Sequence, residues 1–407
     1  MALPRRLRLL VAFAVAAGAA LSSGAFAATA PTTLSPVVSA PRPKAVGPGR
    51  IAYVASKAAY VVTLPDGGPV KLPNSAGATY TAVARDGGVV YGSENSAPVW
   101  LSRPPYRVAQ RLKLPPAATQ VGAAHFAGNN LVWFEFTYTS ATDRPEPASI
   151  DLRTTAYVRA PYRTNAVSAN GKLKAYNPTG DNYNDLFLET GTPQPPRPLF
   201  QLTQRERLLD AIRAQHSAAA DAILKEMGGE SPDPQEWLTG SPAVSADGEA
   251  VYWSTNLGNG YGAAGNTNWT LLKTDVATGR TIALARYGSQ FGRMPELAVS
   301  PDGRKLLATT SVHNSAAENP VGNDVIDLVS QKAVHLIGEN TPDGWVNIQD
   351  GQCWSADSSF VAFAGSYYDP VKIASEDELP PYAIFLKDVS SNKTVRRIEK
   401  ASRPACG

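Results

Sequence analysis

A short pattern of two apolar runs separated by a polar turn recurs along the chain. It reads Ala-Val-Ser-Pro-Asp-Gly-Arg-Lys-Leu-Leu at 298–307 and Ala-Val-Ser-Ala-Asp-Gly-Glu-Ala-Val-Tyr at 243–252. Further copies occupy 166–175 and 82–91, and a fifth at 354–363 has serine where the others have glycine. Because Asp-Gly or Asn-Gly between apolar runs is a strong hairpin signal, each copy predicts two short antiparallel strands.

A degraded sixth copy lies at 125–133, so the spacing approaches one copy per fifty residues or so. The aligned turn positions are Gly87, Gly128, Gly171, Gly248, Gly303 and Ser358. A second strand pair with its own tight turn follows the phrase, as at 63–72, 273–282 and 386–395. Four antiparallel strands per unit, repeated many times, predict an all-β fold, a β-propeller.

Seven units can be traced, which predicts a seven-bladed ring. They cover about 50–74, 79–115, 119–160, 164–201, 240–284, 294–338 and 348–398. The first unit lacks an Asp-Gly phrase, so its missing strand comes either from the other end of the chain or from residues before Gly49. A six-bladed ring remains the alternative.

The phrase Ser-Pro-Asp-Gly and the later strand pair with an Asp-x-x-x-Gly turn resemble the TolB-type β-propeller repeat, a WD-like family. The resemblance covers roughly 50–398. It implies the propeller fold, and it implies little about function. Propellers of this type occur in periplasmic binding proteins, as appendages of serine peptidases and in some polysaccharide lyases.

An insertion at 202–239 interrupts the repeats. Thr203 and Glu206 have the spacing of a capping box, and the apolar positions that follow fit one face of a helix. They are Leu208, Ile212, Ala219, Ile223 and Met227. We expect a helix, or a helical pair broken at 214–217, within about 203–228; it either forms a lid or docking element, or covers a blade flank.

The start of the chain reads as an export signal. Three arginines precede the apolar run 9–21 and a small-x-small cleavage site at 25–27, so we expect a signal peptide at 1–27. Residues 28–49 form a Pro- and Ala-rich linker, and 50–407 form the propeller domain. The mature product is expected in the periplasm or outside the cell, without a membrane span; the export route, Sec or twin-arginine, stays open.

The formal net charge is +3, and the three leader arginines account for all of it. The mature chain therefore gives no electrostatic case for binding nucleic acid or an anionic membrane. Only Cys353 and Cys406 are present, and an even count in an exported protein favours one disulfide. This bond would attach the tail to the last repeat. We expect a monomer.

The antiparallel order predicts two different rims. The first-to-second and third-to-fourth turns meet on one side, which we call the turn rim. The second-to-third and blade-to-blade connections meet on the other, the loop rim, which carries nearly all the length variation and is the expected binding face. The candidate binding residues there are Tyr183, Asp185, Tyr261, Arg286, Tyr287, Arg293, His313, Asn314, Trp345, Tyr367, Tyr368 and Asp369.

Catalytic and metal patterns are sparse. Four histidines occur, and only His313 falls in a candidate loop; no zinc-type cysteine spacing and no Gly-x-Ser-x-Gly elbow occur in the sequence. We predict no catalytic residues, no cofactor and no metal ligands. A structural calcium ion at 181–185 stays open, although that segment lacks the EF-hand order.

The preferred hypothesis is therefore an exported, non-enzymatic propeller that binds a protein or an envelope glycan through the loop rim. The alternative is an enzyme, a polysaccharide lyase or hydrolase, that uses the central funnel. It would use His313 or Asp369 as a base and Arg286 or Arg293 to stabilise negative charge. A purely structural module of an envelope assembly is a third possibility.

Overall fold

The chain forms an all-β, seven-bladed β-propeller with two short helices in this computed structural model. The described residues all belong to one unit, Arg42–Gly407. The predicted signal peptide and most of the predicted linker lie outside them. The structure describes residues 49–94, 96–114, 118–127, 129–138, 146–159, 166–168, 173–176, 185–190, 197–201, 204–226, 239–240, 242–257, 266–290, 293–311, 321–337, 345–368 and 382–407.

Each blade is a four-stranded antiparallel sheet, and its strands are named from the innermost to the outermost. Blade 1 contains β28 (Ala401–Cys406), β1 (Arg50–Ala55), β2 (Ala58–Thr63) and β3 (Val70–Lys71). Blade 2 contains β4 (Tyr80–Val83), β5 (Val89–Ser93), β6 (Ser96–Ser102) and β7 (Ala109–Arg111). Blade 3 contains β8 (Ala118–Ala127), β9 (Leu131–Tyr138), β10 (Glu146–Asp151) and β11 (Tyr157–Arg159).

The remaining blades follow the same order. Blade 4 contains β12 (Ala166–Val167), β13 (Lys174–Tyr176), β14 (Leu186–Glu189) and β15 (Arg197–Phe200). Blade 5 contains β16 (Ala243–Val244), β17 (Ala250–Thr255), β18 (Asn266–Asp275) and β19 (Thr281–Gln290). Blade 6 contains β20 (Arg293–Val299), β21 (Lys305–Ser311), β22 (Val321–Asp327) and β23 (Ala333–Ile337). Blade 7 contains β24 (Trp345–Trp354), β25 (Phe360–Tyr368), β26 (Ala383–Asp388) and β27 (Lys393–Glu399).

The last strand of the chain closes the ring. β28 pairs antiparallel with β1, so the C-terminal segment supplies the innermost strand that the first repeat lacks. Cys353 in β24 and Cys406 in β28 form a disulfide, with their Cα atoms 5.6 Å apart. The seven-blade prediction, the shared strand and the disulfide are confirmed, and the six-bladed alternative is wrong.

The recurring phrase folds into one repeated turn. Ser300 Oγ donates to Asp302 Oδ1 (2.6 Å) and accepts from the Lys305 amide (2.9 Å). Gly303 has φ +71°, a left-handed conformation that glycine adopts without steric cost. The same side-chain bonds recur at Ser245 and Ser355. The serine and the aspartate therefore satisfy hydrogen-bonding groups of the turn backbone, so the motif has a structural role.

The cores lie between blades. Buried apolar residues of neighbouring blades form separate clusters, such as Val90 and Leu101 of blade 2 with Val132 and Phe134 of blade 3. Each blade therefore buries its faces against its neighbours, which explains how so long a chain folds without one central core.

The insertion forms the helical pair α1 (Arg205–Arg213) and α2 (Ala218–Glu226), interrupted where the sequence predicted a break. Leu208, Ile212 and Ile223 are buried as expected, in a cluster with Trp253 of blade 5. The prediction that Thr203 caps the helix is wrong in position, because Gln204 is the N-cap and its side chain makes no capping bond. Thr203, Met227 and the Ala219 side chain lie outside the described residues.

Both helices pack against the outermost strand of blade 5, so the described part of the insertion covers a blade flank. Gln215, between the helices, hydrogen-bonds through its side-chain amide to both the carbonyl oxygen and the amide of Ala283 in β19. Of the two interpretations of the insertion, flank coverage fits these helices, and a lid does not.

Candidate functional site: a notch in the loop rim

The loop rim carries the long connections. The second-to-third connections span 139–145, 177–185, 256–265, 312–320 and 369–382 in blades 3 to 7. In blades 1 and 2 they shrink to the two-residue turns 56–57 and 94–95. The first-to-second turns of blades 2 to 7, by contrast, span six residues or fewer. Length therefore accumulates on one rim, and that rim is low above blades 1 and 2.

Several predicted site residues lie outside the described residues. They are Tyr183, Tyr261, His313, Asn314 and Asp369. Of the segment 181–185, where a calcium ion was considered, only Asp185 is described. It is half-buried and lies directly before β14. The possibility of calcium there stays a prediction.

Six further predicted residues lie in strands, which corrects their expected placement in loops. Arg286 and Tyr287 belong to β19, Arg293 begins β20, and Trp345 begins β24. Tyr367 and Tyr368 end β25. The β18–β19 ladder continues to the Asn266–Gln290 pair, and within it Tyr287 lies opposite Trp269.

Blade 7 brings two predicted aromatic residues together. Trp345 and Tyr368 lie directly opposite each other in the β24–β25 ladder, at its loop-rim end. Val346, next to Trp345, also pairs with Val321 of blade 6, which joins the two blades at this edge. The predicted aromatic group thus has a common location, at the loop-rim end of blade 7, whereas Arg286 and Tyr287 lie on blade 5.

A cavity of about 350 Å³ lies in the loop rim at the short turns of blades 1 and 2. We call it the notch. It is lined by Val54, Lys57, Ala78, Thr79, Glu94, Ala364, Tyr382, Ser402 and Arg403. Ala364 is on β25, the strand that continues to Tyr367 and Tyr368 at the loop-rim end of blade 7.

Arg403 is placed in the notch by an irregularity in β28. The register against β1 shifts between the Ala52–Ala405 and Val54–Ser402 pairs, which leaves Arg403 and Pro404 as a bulge opposite Tyr53. Arg403 has φ +51°, an unfavourable left-handed conformation for a non-glycine residue. Bulges commonly redirect a side chain near functional sites, and this one accompanies the Arg403 contact across to blade 2.

The Arg403 guanidinium bonds to blade 2 at two points. Its Nη1 donates to the Thr79 carbonyl oxygen (2.9 Å) and forms an ion pair with Glu94 Oε1. The Glu94 amide in turn donates to Thr79 Oγ1 (2.9 Å). The side chains of Arg403 and Glu94 remain 37% and 39% exposed, so this ion pair faces solvent within the notch.

A second cation lines the same cavity. Lys57 lies in the tight turn between β1 and β2, is exposed, and makes no side-chain hydrogen bond or ion pair with the rest of the described chain. Beneath the rim, burial and then the Glu94 charge raise the pKa of the Tyr80 phenol, so Tyr80 stays neutral. Two cations and one carboxylate thus give the described lining of the notch a positive balance.

Two other described cavities lie elsewhere. A groove of about 480 Å³ runs between α1 and the outer strands of blades 4 and 5. Its floor residues Phe200, Leu208 and Trp253 belong to the packed core of the insertion, so we regard it as a packing groove. A space of about 220 Å³ lies at the turn-rim mouth of the central channel, beside Arg85 and Trp354.

No group of three or more His, Cys, Asp or Glu in the described ranges is arranged to hold a metal ion. Neither described helix has the length and apolar character that a membrane crossing requires. The enzyme alternative depends on His313 or Asp369 as base and on the Arg286 or Arg293 side chain. All of these groups fall outside the described part of the chain, so the funnel hypothesis is untested.

Sequence reasoning missed Lys57, Glu94, Tyr382 and Arg403. Arg403 and Glu94 are separated by 309 positions, and neither belongs to a recognisable motif. The shared strand was the one useful signal, because it places the tail beside the first repeat. The bulge that directs Arg403 towards Glu94 leaves no such trace.

No protein-family model matches the chain, and no curated protein matches it. Among solved structures, TolB from Acinetobacter baumannii is 12% identical with a TM-score of 0.43, covering 88% of this chain and 66% of that chain. An oligogalacturonate lyase from Vibrio parahaemolyticus is 13% identical with a TM-score of 0.51, covering 83% of this chain and 84% of that one. The tricorn protease is 12% identical with a TM-score of 0.51, covering 88% of this chain and 34% of its own.

The structures similar to this chain thus include TolB proteins and other propeller proteins. The chain spans just under two thirds of the TolB chain and about a third of the tricorn protease chain. At identities this low, the similarity shows the propeller fold alone. A lyase and a protease share the architecture, as expected when function depends on the site rather than the fold.

Proposed function

We propose that this chain is a non-enzymatic propeller that acts outside the cytoplasm and binds a protein or an envelope glycan through its loop rim. The observation that carries the proposal is the asymmetry of that rim. The second-to-third connections of blades 3 to 7 are long, whereas those of blades 1 and 2 are two-residue turns, and the notch lies at these two short turns. Variable loops on one face of a rigid repeat scaffold are a common binding surface.

The chemistry of this face suits a mixed polar ligand. The notch offers two cations, a carboxylate and hydroxyl groups, and the neighbouring strands end in Trp345, Tyr367 and Tyr368. Aromatic rings beside hydrogen-bonding groups are typical of sites that bind sugars and peptides.

Location outside the cytoplasm is supported by the Cys353–Cys406 disulfide. Structural disulfides persist in oxidising compartments and are rare in the cytosol. Export also agrees with the leader expected at 1–27, whose removal is part of the proposal.

The test is a binding screen of the exported chain against purified envelope glycans and peptide arrays, repeated with Trp345→Ala and Tyr367→Ala. We expect each substitution to weaken binding about tenfold or more, because stacked aromatic residues dominate such interfaces. Val108→Ala and Val329→Ala are the matched controls. Both valines are exposed, at 76% and 86%, and lie on the turn rim.

Two outcomes would overturn the proposal. One is a saturable ligand whose affinity is the same for the aromatic variants and the original chain, but which no longer binds the turn-rim variants. The other is turnover of a bound polysaccharide or peptide, which would favour the funnel enzyme instead. Circular dichroism of every variant separates loss of binding from loss of the fold.

A further inference from the structure

We propose that the notch recognises a carboxylate group of its ligand, which pairs with Arg403 and Lys57 and takes the place of Glu94 beside Arg403. The inference rests on the proposed function, because the notch is part of the loop rim. It specifies that the ligand is an acid and that Glu94 competes with this acid for Arg403.

The first support is that the protein holds Arg403 in an unfavourable backbone conformation. A left-handed, non-glycine residue in a bulge is energetically unfavourable and persists where the surroundings enforce it. An arginine fork matches a carboxylate in two-point geometry. The bulge therefore presents, on the innermost strand of blade 1, the group that suits an acidic ligand.

The second support is that the existing ion pair is easily exchanged. Both side chains of the Arg403–Glu94 pair are more than a third exposed, and pairs exposed to this extent contribute little to stability. A ligand carboxylate can replace Glu94 without a large penalty. The Arg403 bond to the Thr79 carbonyl oxygen does not depend on Glu94, so it can keep the guanidinium in place during the exchange.

The third support is the surplus of positive charge. Lys57 lines the notch without an ion-pair partner in the described chain, and Glu94 is the one acidic residue among the lining residues that the structure describes. An incoming carboxylate would meet two cations, Arg403 and Lys57, and a single competing carboxylate, Glu94. The volume of about 350 Å³ accommodates a monosaccharide or the last residues of a peptide, at the lower end of common ligand pockets.

The experiment uses matched acid and neutral probes, measured by calorimetry on the exported chain. One arm compares glucuronate with glucose, and the other compares a short acetylated peptide bearing a free C-terminal carboxylate with its C-terminal amide. In the arm that represents the natural source, we expect the acid to bind at least about fivefold more tightly than its neutral partner. The preference should shrink as salt rises, since exposed charges are screened.

Substitutions then separate recognition from structure. Lys57→Gln should weaken binding of the acid about three- to tenfold and leave the neutral probe unchanged. Glu94→Gln should tighten binding of the acid about two- to fivefold, because it removes the competitor from Arg403. A purely structural role for the ion pair would predict no change or weaker binding. Arg403→Gln should abolish the preference for the acid.

The matched control is the Asp86–Arg103 ion pair of blade 2, whose side chains are similarly exposed, at 32% and 40%, but which lies on the turn rim. Asp86→Asn should leave both acid and neutral binding unchanged. Should Arg403→Gln fail to fold, Lys57→Gln and Glu94→Gln still decide the question.

The inference is overturned if neither acid binds better than its neutral partner up to about 10 mM, or if Glu94→Gln weakens binding of the acid. These results would leave the proposed function standing as long as Trp345→Ala still reduces binding of a glycan or protein. A third result would separate the two proposals in the other direction. If acid binding depends on Lys57 but the aromatic substitutions affect binding of no macromolecular ligand, the proposed function is wrong and the carboxylate site is supported.

Discussion

Gln215 and Ala283 bond to each other as if the glutamine side chain were part of a neighbouring strand. Gln215 Nε2 donates to the Ala283 carbonyl oxygen (3.0 Å), and the Ala283 amide donates to Gln215 Oε1 (2.8 Å). Ala283 is fully buried on the outermost strand of blade 5. The linker between the helices therefore completes a sheet edge that would otherwise leave two polar groups unsatisfied.

Gln215→Ala should lower the free energy of unfolding by about 1–2 kcal/mol, since a buried amide and carbonyl lose their partners. Hydrogen exchange of the Ala283 amide should accelerate in step. Gln110→Ala is the matched control, because Gln110 is exposed on the outermost strand of blade 2. Unchanged exchange at Ala283 in the Gln215 variant would contradict the assigned role.

The disulfide between Cys353 and Cys406 should stabilise the closed ring. It links the innermost strands of blades 7 and 1 across a sequence separation of 53. We expect the Cys353→Ser/Cys406→Ser double variant to lose about 2–4 kcal/mol of unfolding free energy, because a loop of this length regains entropy in the unfolded chain. Urea denaturation measures the loss.

The same experiment carries its own control. A reductant should lower the denaturation midpoint of the original chain and leave that of the double variant unaltered. Exchange should rise first at the amides of β28, the strand that the bond attaches. Equal midpoints for oxidised and reduced protein would show that β28 pairing alone closes the ring.

The Cys353–Cys406 bond and the Gln215–Ala283 contact differ in whether they can be predicted from the sequence. The phrase with Gly303 follows from local turn chemistry, the shared last strand from counting repeats, and the Cys353–Cys406 bond from the even number of cysteines. Gln215–Ala283 and Glu94–Arg403 join positions 68 and 309 apart. Such contacts depend on the register and bulges of assembled strands.

The candidate site shows the same division. The sequence predicted the rim, because connection lengths are visible in the repeats. It placed Arg286, Tyr287 and Trp345 in loops, because periodicity does not reveal that hairpins extend beyond their blade. The notch was missed because two very short turns, which carry no signal of function, create it.

The third-to-fourth turns should make the fold sensitive to acid. Hydrogen bonds from Thr278, Ser330 and Ser390 and their neighbours lower the pKa values of Asp275, Asp327 and Asp388, respectively, below the ordinary value of 3.8. Because these folded-state pKa values are depressed, the unfolded chain binds protons at higher pH than the folded chain. The resulting stability is present above about pH 4 and is lost as the pH falls through the lower folded values.

Asparagine at all three positions keeps an acceptor oxygen and removes the titration. When the pH is lowered from about 5 to about 2, we expect the unfolding free energy to fall less in this triple variant than in the original chain. Urea denaturation at each pH measures both values. Asp221→Asn on α2 is the control, because its carboxylate makes no hydrogen bond in the described chain. A triple variant with the same pH profile would mean that other carboxylates govern acid unfolding.

Ser358 replaces the turn glycine in the blade 7 phrase because its hydroxyl accepts a hydrogen bond from the corresponding turn of blade 6. It adopts φ +62°, as Gly303 adopts +71°, and Ser358 Oγ accepts from the Asp302 amide of blade 6 (3.0 Å). A non-glycine residue in this region costs about 1–2 kcal/mol, and a neutral hydrogen bond returns about 0.5–1.5 kcal/mol. The two effects nearly cancel, so serine is tolerated where the other copies have glycine.

Three variants separate these effects. Ser358→Ala loses the bond and keeps the backbone strain, so it should be destabilised by about 1 kcal/mol, whereas Ser358→Gly loses the bond and the strain and should stay near the original stability. Gly303→Ala measures the strain alone, because a Cβ there meets nothing within 4 Å. In urea denaturation, the difference between the two Ser358 variants should equal the Gly303→Ala loss. If Ser358→Ala and Ser358→Gly are equally stable, backbone conformation does not explain the serine.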